Sequence, residues 1–264
     1  MSAGTPFNST TPSFPGGPSL PPDLPNLPDL PDIPGFPIPG TDRAETLRGT
    51  DARESIFGAG GNDRIFGFGG NDLLDGGDGH DTMYGGAGHD HLGGQAGNDR
   101  SYGGAGRDHM MGERGDDILY GGRDNDMLYG GLGADRLYGG DGNDWLSGGA
   151  GRDLLHGGDG RDTFIFNTKP GSSNVDTIDD FSHVHDTIHL DRSVFTQLGP
   201  VGDLASRAFH VGSRAHDSSD RIIYDKTSGK LFYDRDGTGP AAQVQFALLD
   251  KRLALAADDF DILA

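Results

Sequence analysis

The sequence predicts an all-β fold: a right-handed parallel β-roll over residues 46–166, a β-rich cap over 167–264 and a proline-rich segment over 1–45. Three observations predict it. A nine-residue phrase, Gly-Gly-x-Gly-x-Asp-x-U-x with U large and apolar, recurs in phase from Gly58 to Phe164. A hydrophobic content of 33% with 47 glycines is too lean for an ordinary core throughout 264 residues. Twelve of the fifteen prolines fall in the first 40 residues, which sets that stretch apart from all that follows.

In the proline-rich segment, Pro12, Pro15, Pro18 and Pro21, then Pro22, Pro25, Pro28, Pro31, Pro34 and Pro37, recur every three residues. Three residues make one turn of polyproline II, so the prolines form one stripe and Leu24, Leu27, Leu30, Ile33 and Phe36 another. The segment reads as a semi-rigid spacer. Its large apolar residue on every turn also suits docking on a surface.

The roll follows. Its phrase starts at Gly58, Gly67, Gly76, Gly85, Gly94, Gly103, Gly112, Gly121, Gly130, Gly139, Gly148 and Gly157. The sixth position is then Asp63, Asp72, Asp81, Asp90, Asp99, Asp108, Asp117, Asp126, Asp135, Asp144, Asp153 and Asp162. A weaker copy from Gly49, with Glu54 in the sixth position, precedes them in phase. Nonapeptide periodicity of this kind marks a calcium-binding parallel β-helix. The x-U-x half is a minimal strand, with U pointing in and its neighbours out. Two phrases complete one coil, so turns on one edge lie eighteen residues apart and Asp63 stacks on Asp81. The inward residues form two columns, Ile56, Leu74, Leu92, Met110, Leu128, Leu146, Phe164 and Ile65, Met83, Ser101, Leu119, Leu137, Leu155. Only Ser101 breaks the apolar rule.

Glycine in the turn lets the backbone take positive φ and curl its carbonyls inward. Those carbonyls and the sixth-position carboxylates are the hard oxygens that Ca²⁺ prefers, and Mg²⁺, which demands tight octahedral geometry, suits them less. The twelve Asp residues are therefore the expected ligands of multiple Ca²⁺ ions. Phe68, Gln95 and Glu113 at the second position and Asp124 at the fourth predict weaker turns. One inward side chain per half-coil is a thin core against roughly 1–2 kcal/mol of backbone entropy per residue. Carboxylates stacked one coil apart repel, so the roll is expected to be unfolded without Ca²⁺ and to fold on binding it.

The ninth position faces outward. Along one sheet it reads Phe66, Tyr84, Tyr102, Tyr120, Tyr138, His156, an aromatic ladder. It fits cross-strand stacking or a binding strip for a glycan or cell-surface partner. A polyproline stripe repeats every ~9.3 Å and two strand spacings span ~9.5 Å, so residues 22–37 could cover the ladder.

In the cap, Asp176 to Phe181 and Asp186 to Leu190 read as short strands. Arg221 to Tyr224 and Lys230 to Tyr233 alternate around Ser228-Gly229 as a hairpin, and Val244 to Leu249 as a further strand. A short helix fits Leu204 to Phe209. His183, His185 and His189 lie close together, but alternation makes His189 an exposed strand residue rather than a metal ligand. The remaining repeat histidines, His80, His89, His91, His109 and His156, read as solvated.

The net charge of −20 disfavours nucleic acid and anionic membranes as partners and favours cations. There is no cysteine, no basic and apolar leader, and no apolar run long enough to span a membrane. No His-Glu-x-x-His and no Gly-x-Ser-x-Gly occurs, and an enzyme is not expected.

On these repeats the chain resembles the repeats-in-toxin (RTX) hemolysin-type calcium-binding proteins. Asp176 to Phe181, Arg221 to Asp225, Leu231 to Gly237 and the ending Asp259-Phe-Asp-Ile-Leu-Ala264 resemble the C-terminal secretion region of serralysin-type members, without their protease domain. The resemblance implies a β-roll holding Ca²⁺ on the sixth-position Asp residues. It also implies export by a type I exporter without an N-terminal signal peptide, and folding outside the cell. The expected function is a secreted, non-enzymatic calcium-binding protein with a surface, matrix, adhesion or host-interaction role. The alternatives are a toxin-like membrane-active effector and the accessory module of an RTX enzyme.

Overall fold

The computed structural model describes residues 37–264, so the polyproline reading of residues 1–36 and the docking of residues 22–37 lie almost wholly outside the described residues. From Ile38 the chain winds as a parallel solenoid with two sheets, one of 11 strands and one of 12. Odd phrases feed one sheet and even phrases the other, as a period of two nonapeptides per coil requires. Leu119, for example, pairs with Ser101 on one side and Leu137 on the other, eighteen residues away each time.

Winding begins earlier than the domain boundary read from composition. Ile38–Pro39 already pairs with Ile56 and Phe57, and Thr46–Arg48 with Arg64 to Phe66. Proline is tolerated there because this is the edge strand of its sheet, where a missing N–H breaks no ladder.

All inward residues named above are buried, Leu92 at 2% exposure being the least so among the apolar ones. Ser101 is buried as well, and its hydroxyl has no hydrogen-bond partner. The columns do not end with the phrase. Phe164 pairs with Ile188, which pairs with Phe260, and Leu155 pairs with Ile178. The cap thus continues both sheets with strands that lack glycine turns.

Its second-sheet part is antiparallel where loops are short. Ile222–Asp225 and Lys230–Tyr233 form the hairpin expected around Gly229, whose φ of 81° only glycine takes without strain. Val244–Leu248 pairs antiparallel to it and parallel to Asp176–Ile178, joining the hairpin to the roll. Phe166, Phe195, Tyr233 and Phe246 pack edge to face at centroid distances of 5.1–5.3 Å, a thicker core than any coil has. The short helix expected near Leu204 is one 3₁₀ turn, Ser206–Ala208.

Candidate metal centre

Each repeat turn brings its sixth-position Asp inward beneath the glycines. All twelve, Asp63 through Asp162 at nine-residue steps, are at most 2% exposed. One carboxylate oxygen, Oδ1, accepts the backbone N–H of the Asp eighteen residues earlier, at 2.7 Å from Asp63 to Asp81 and 2.9 Å from Asp144 to Asp162. The other, Oδ2, is buried in all twelve with no hydrogen-bond partner. Unpaired buried carboxylate oxygens are expensive in any fold, and two parallel columns of them call for a counter-charge.

The space beside those oxygens is shaped by glycine. A Cβ placed on Gly85 would lie 2.5 Å from Asp90 Oδ2 and 2.7 Å from the carbonyl oxygen of Gly103, one coil away. A carboxylate of one turn and a carbonyl of the next therefore converge on one small volume, and the same convergence recurs from Gly58 to Gly139. Hard oxygens, anionic and uncompensated, drawn from two adjacent turns are a donor set that fits Ca²⁺. The twelve Asp residues and the first-position carbonyls are the groups that would hold it, and the ion would supply the positive charge the columns lack.

Electrostatics point the same way. Burial raises every one of these carboxyls, the Oδ1 hydrogen bond opposes the rise, and neighbouring carboxylates generally add to it. Asp99 and Asp126 are pushed up to about 8, Asp108, Asp135 and Asp162 to about 7, and Asp63, Asp72, Asp117 and Asp144 to about 6. At pH values between the ordinary 3.8 and these raised values, and without a cation, the folded groups hold protons that unfolded Asp would have released.

The columns are closed at both ends by acids that the nine-residue count did not single out as ligands. Glu45 and Glu54 hold the sixth position of the first two turns, and Glu45 and Glu54 donate their N–H to Asp63 and Asp72. Their extra methylene lets the carboxylate fold back on its own turn, where Glu45 Oε2 accepts the Thr41 N–H at 2.7 Å and Glu54 Oε2 that of Thr50 at 3.0 Å. At the other end Asp153 and Asp162 donate to Asp176 and Asp186, at 3.2 and 3.0 Å. Asp186 Oδ2 in turn accepts the Ser182 N–H. The signal was in the sequence: Asp176-Thr-Ile178 and Asp186-Thr-Ile188 repeat the Asp-x-U of the phrase without its glycines. Asp180 caps the last turn by accepting the N–H groups of Gly157 and Gly158.

The turns flagged as weak share one backbone feature. Phe68, Gln95, Glu113 and Asp124 all sit at φ between 70° and 75°, as does Ala59, which was not among them; this is the left-handed region that costs a side chain roughly 1–2 kcal/mol. The fifth position also does something its variable composition concealed. Asn71 Oδ1 accepts the His89 N–H, and His89 Nδ1 accepts the Arg107 N–H at 2.8 Å; His80 does the same for Asn98 at 2.7 Å. These two exposed rings are therefore part of a turn-to-turn ladder, not merely solvated.

The outer aromatic ladder is stacked face to face. Phe66, Tyr84, Tyr102, Tyr120 and Tyr138 follow one another at centroid distances of 4.8–5.0 Å and interplanar angles of 4–8°. Arg48 covers the Phe66 end at 4.7 Å. The ring faces are thus used within the sheet, and the ladder turns edges and hydroxyls outward.

Among the described residues, the groups of three or more His, Asp or Glu side chains whose ligand atoms lie within 4.8 Å of one another are His156, Asp179 and Asp180, and His216, Asp217 and Asp220. His183, His185 and His189 do not form such a group. His189 packs edge to face against Trp145 and pairs with Asp261 at 3.4 Å, so it is half-buried rather than the exposed strand residue expected.

Comparison with known proteins matches this geometry to the family described as RTX calcium-binding nonapeptide repeat (4 copies), over residues 39–67, 48–83, 57–92, 66–101, 93–128, 102–137 and 129–164. The chain is also similar to the solution structure of the AlgE6R3 subunit from the Azotobacter vinelandii mannuronan C5-epimerase. The identity is 31% over 55% of this chain and 77% of that one, with a TM-score of 0.37. No curated protein matches.

Proposed function

We propose, from the premise that residues 39–164 make this chain a member of the RTX calcium-binding nonapeptide-repeat family, that it is a secreted protein whose fold is switched on by Ca²⁺ outside the cell. The repeats bind several Ca²⁺ ions. The observation that carries the switch is the set of twelve buried, unpartnered Asp Oδ2 atoms. Where Ca²⁺ is scarce, the columns have only protons to neutralise them, and the glycine-rich turns have little apolar burial to resist unfolding. Where Ca²⁺ is abundant, binding adds RT ln(1 + [L]/Kd) per site, several kcal/mol in all at the millimolar level.

On this reading the chain crosses the cell envelope unfolded through a type I exporter, guided by its C-terminal region, and acts at or beyond the surface without catalysing a reaction. The ladder of Tyr84, Tyr102, Tyr120 and Tyr138 is the partner face. Because its rings stack on one another, recognition there runs through a row of phenol hydroxyls rather than through open ring faces. A membrane-active role is the competing reading. No helix among the described residues is long and apolar enough to cross a bilayer, which leaves strand-based insertion open.

Far-UV circular dichroism in chelator and at millimolar Ca²⁺ tests the switch: disorder in the first and β-structure in the second are expected, and a folded roll in chelator would sink it. Leakage of dye from liposomes, measured in parallel with Ca²⁺-dependent capture on whole cells, separates the membrane-active role from the surface one.

A further inference from the structure

The outer face of the 11-stranded sheet carries chemistry that the calcium turns do not use. Its seventh-position column runs His91, His109, Met127, Trp145, each in register with the next across adjacent parallel strands. The Nδ1 atoms of His91 and His109 face each other at 3.3 Å, with rings nearly perpendicular at 81°. Met127 beside them is 39% exposed, unusual for a thioether that could have been buried.

We propose that His91 and His109 form a bis-histidine site for a late transition metal, Cu²⁺ foremost, with the Met127 thioether as the neighbouring soft donor. Two nitrogens 3.3 Å apart, each about 2.0–2.1 Å from an ion, subtend about 105–110°, an angle at which one ion can take both as neighbouring ligands. The rigid sheet holds the donors at that separation, so little ordering is needed on binding. Without metal, one Nδ1 must donate to the other. On binding, that proton moves to Nε2 of its own ring, and both Nδ1 lone pairs turn to the ion. Imidazole and thioether donors favour Cu over the hard ions of the turns, and Cu²⁺ heads the divalent affinity order.

The two other clusters are committed elsewhere. His156 Nδ1 is bonded to Asp179 at 2.8 Å, and Asp180 to two backbone N–H groups. Asp220 Oδ2 already accepts the N–H groups of His216 and Asp217. The Nδ1 atoms of His91 and His109 have only each other.

The single tryptophan of the chain provides the readout. Trp145 lies next to Met127 in the column and two strands, about 10 Å, from His109, within reach of quenching by Cu²⁺. CuCl₂ is titrated into the full chain held in excess Ca²⁺, with circular dichroism confirming the fold of every variant. Wild type is expected to quench saturably with one equivalent. His91→Asn and His109→Asn each raise the midpoint about tenfold or more, and His156→Asn and His189→Asn leave it in place. An unchanged midpoint in both His91→Asn and His109→Asn, or its loss in His189→Asn alone, overturns the site. Because Ca²⁺-induced folding is scored separately, failure here is distinguishable from failure of the calcium switch.

Discussion

The turns from Gly58 to Asp162 and those at the ends of the solenoid place an acid at the same point of the coil, yet treat it in opposite ways. In the middle, Asp leaves one buried oxygen with no partner in every turn. At the start, Glu54 spends both of its carboxylate oxygens on Thr50, whose N–H donates to Oε2 at 3.0 Å and whose hydroxyl donates to Oε1 at 2.5 Å. At the finish, Asp186 spends the equivalent oxygen on Ser182. One methylene, or one nearby N–H, separates a turn that needs a cation from one that satisfies itself. On the proposed calcium switch, the ends are expected to act as caps that are stable without metal, and the middle as a segment whose folding waits for it.

Removing calcium should break the molecule along that division. In chelator, hydrogen exchange at the amides of residues 58–162 is expected to approach the unprotected rate. The cap, where Phe195, Tyr224, Phe246 and Phe260 are buried, keeps the most protection. Uniform protection across both regions would erase the distinction.

Protons should partly do what calcium does. Burial raises the column carboxyls above the ordinary 3.8, to between about 6 and about 8 where the rise is largest. A raised acid favours the folded state while it is protonated. Its contribution is fully present below the unfolded value and is lost as pH climbs through the folded one. In chelator the β-signal is therefore expected to grow as pH falls from about 8 toward 4, with the steepest change between about 8 and 6. A chelated roll that loses structure over that interval would contradict the buried, uncompensated columns.

Exchanging the two kinds of acid sharpens the contrast further. Glu54→Asp removes the methylene that lets the carboxylate reach Thr50, which converts a self-satisfied turn into one of the middle kind. With two hydrogen bonds lost, about 1–3 kcal/mol of stability should go, read as a fall in Tm at low Ca²⁺ that shrinks as Ca²⁺ is raised. Asp126→Asn, made in the middle, should do the reverse: a severalfold higher Ca²⁺ midpoint with the chelated state no less structured. Equal behaviour of the two variants would mean that the extra methylene is incidental.

Much of this division was legible from residue order. Periodicity alone placed both inward columns, the twelve column acids and the stacking of turns eighteen apart, because a coil of fixed length leaves no freedom in register. The hairpin around Gly229 followed from alternation and a turn residue. What stayed hidden depends on reach and on continuity through irregular sequence. Nothing in the spacing says that Glu45 and Glu54 bend back on their own turns. The roles of Asp176 and Asp186 were masked because separations of 23 and 24 residues replace the strict count of 18. The fifth-position histidines looked like solvent-facing variation because Nδ1 can stand in for an Asn oxygen only when the coil above offers its N–H.

The smallest expected effect separates what the column acids need from what the core needs. Ser101 sits between Met83 and Leu119 in the inward column with a buried hydroxyl that bonds to nothing. Its penalty is that of a neutral orphan, which no cation relieves, unlike that of the Asp oxygens in the turns. Ser101→Ala deletes the orphan while leaving almost the same volume, so it should stabilise the protein by about 1 kcal/mol. The gain should be equal at low and high Ca²⁺, seen as a Tm rise of a few degrees that does not change with calcium. Ser101→Leu fills the column more fully but asks a one-residue-wide core to accept two more heavy atoms, and its gain should be smaller if the strands cannot part. A stabilisation by Ser101→Ala that vanished at high Ca²⁺ would tie the hydroxyl to the metal turns instead, and would mean that core and columns are coupled through the coil rather than independent of each other.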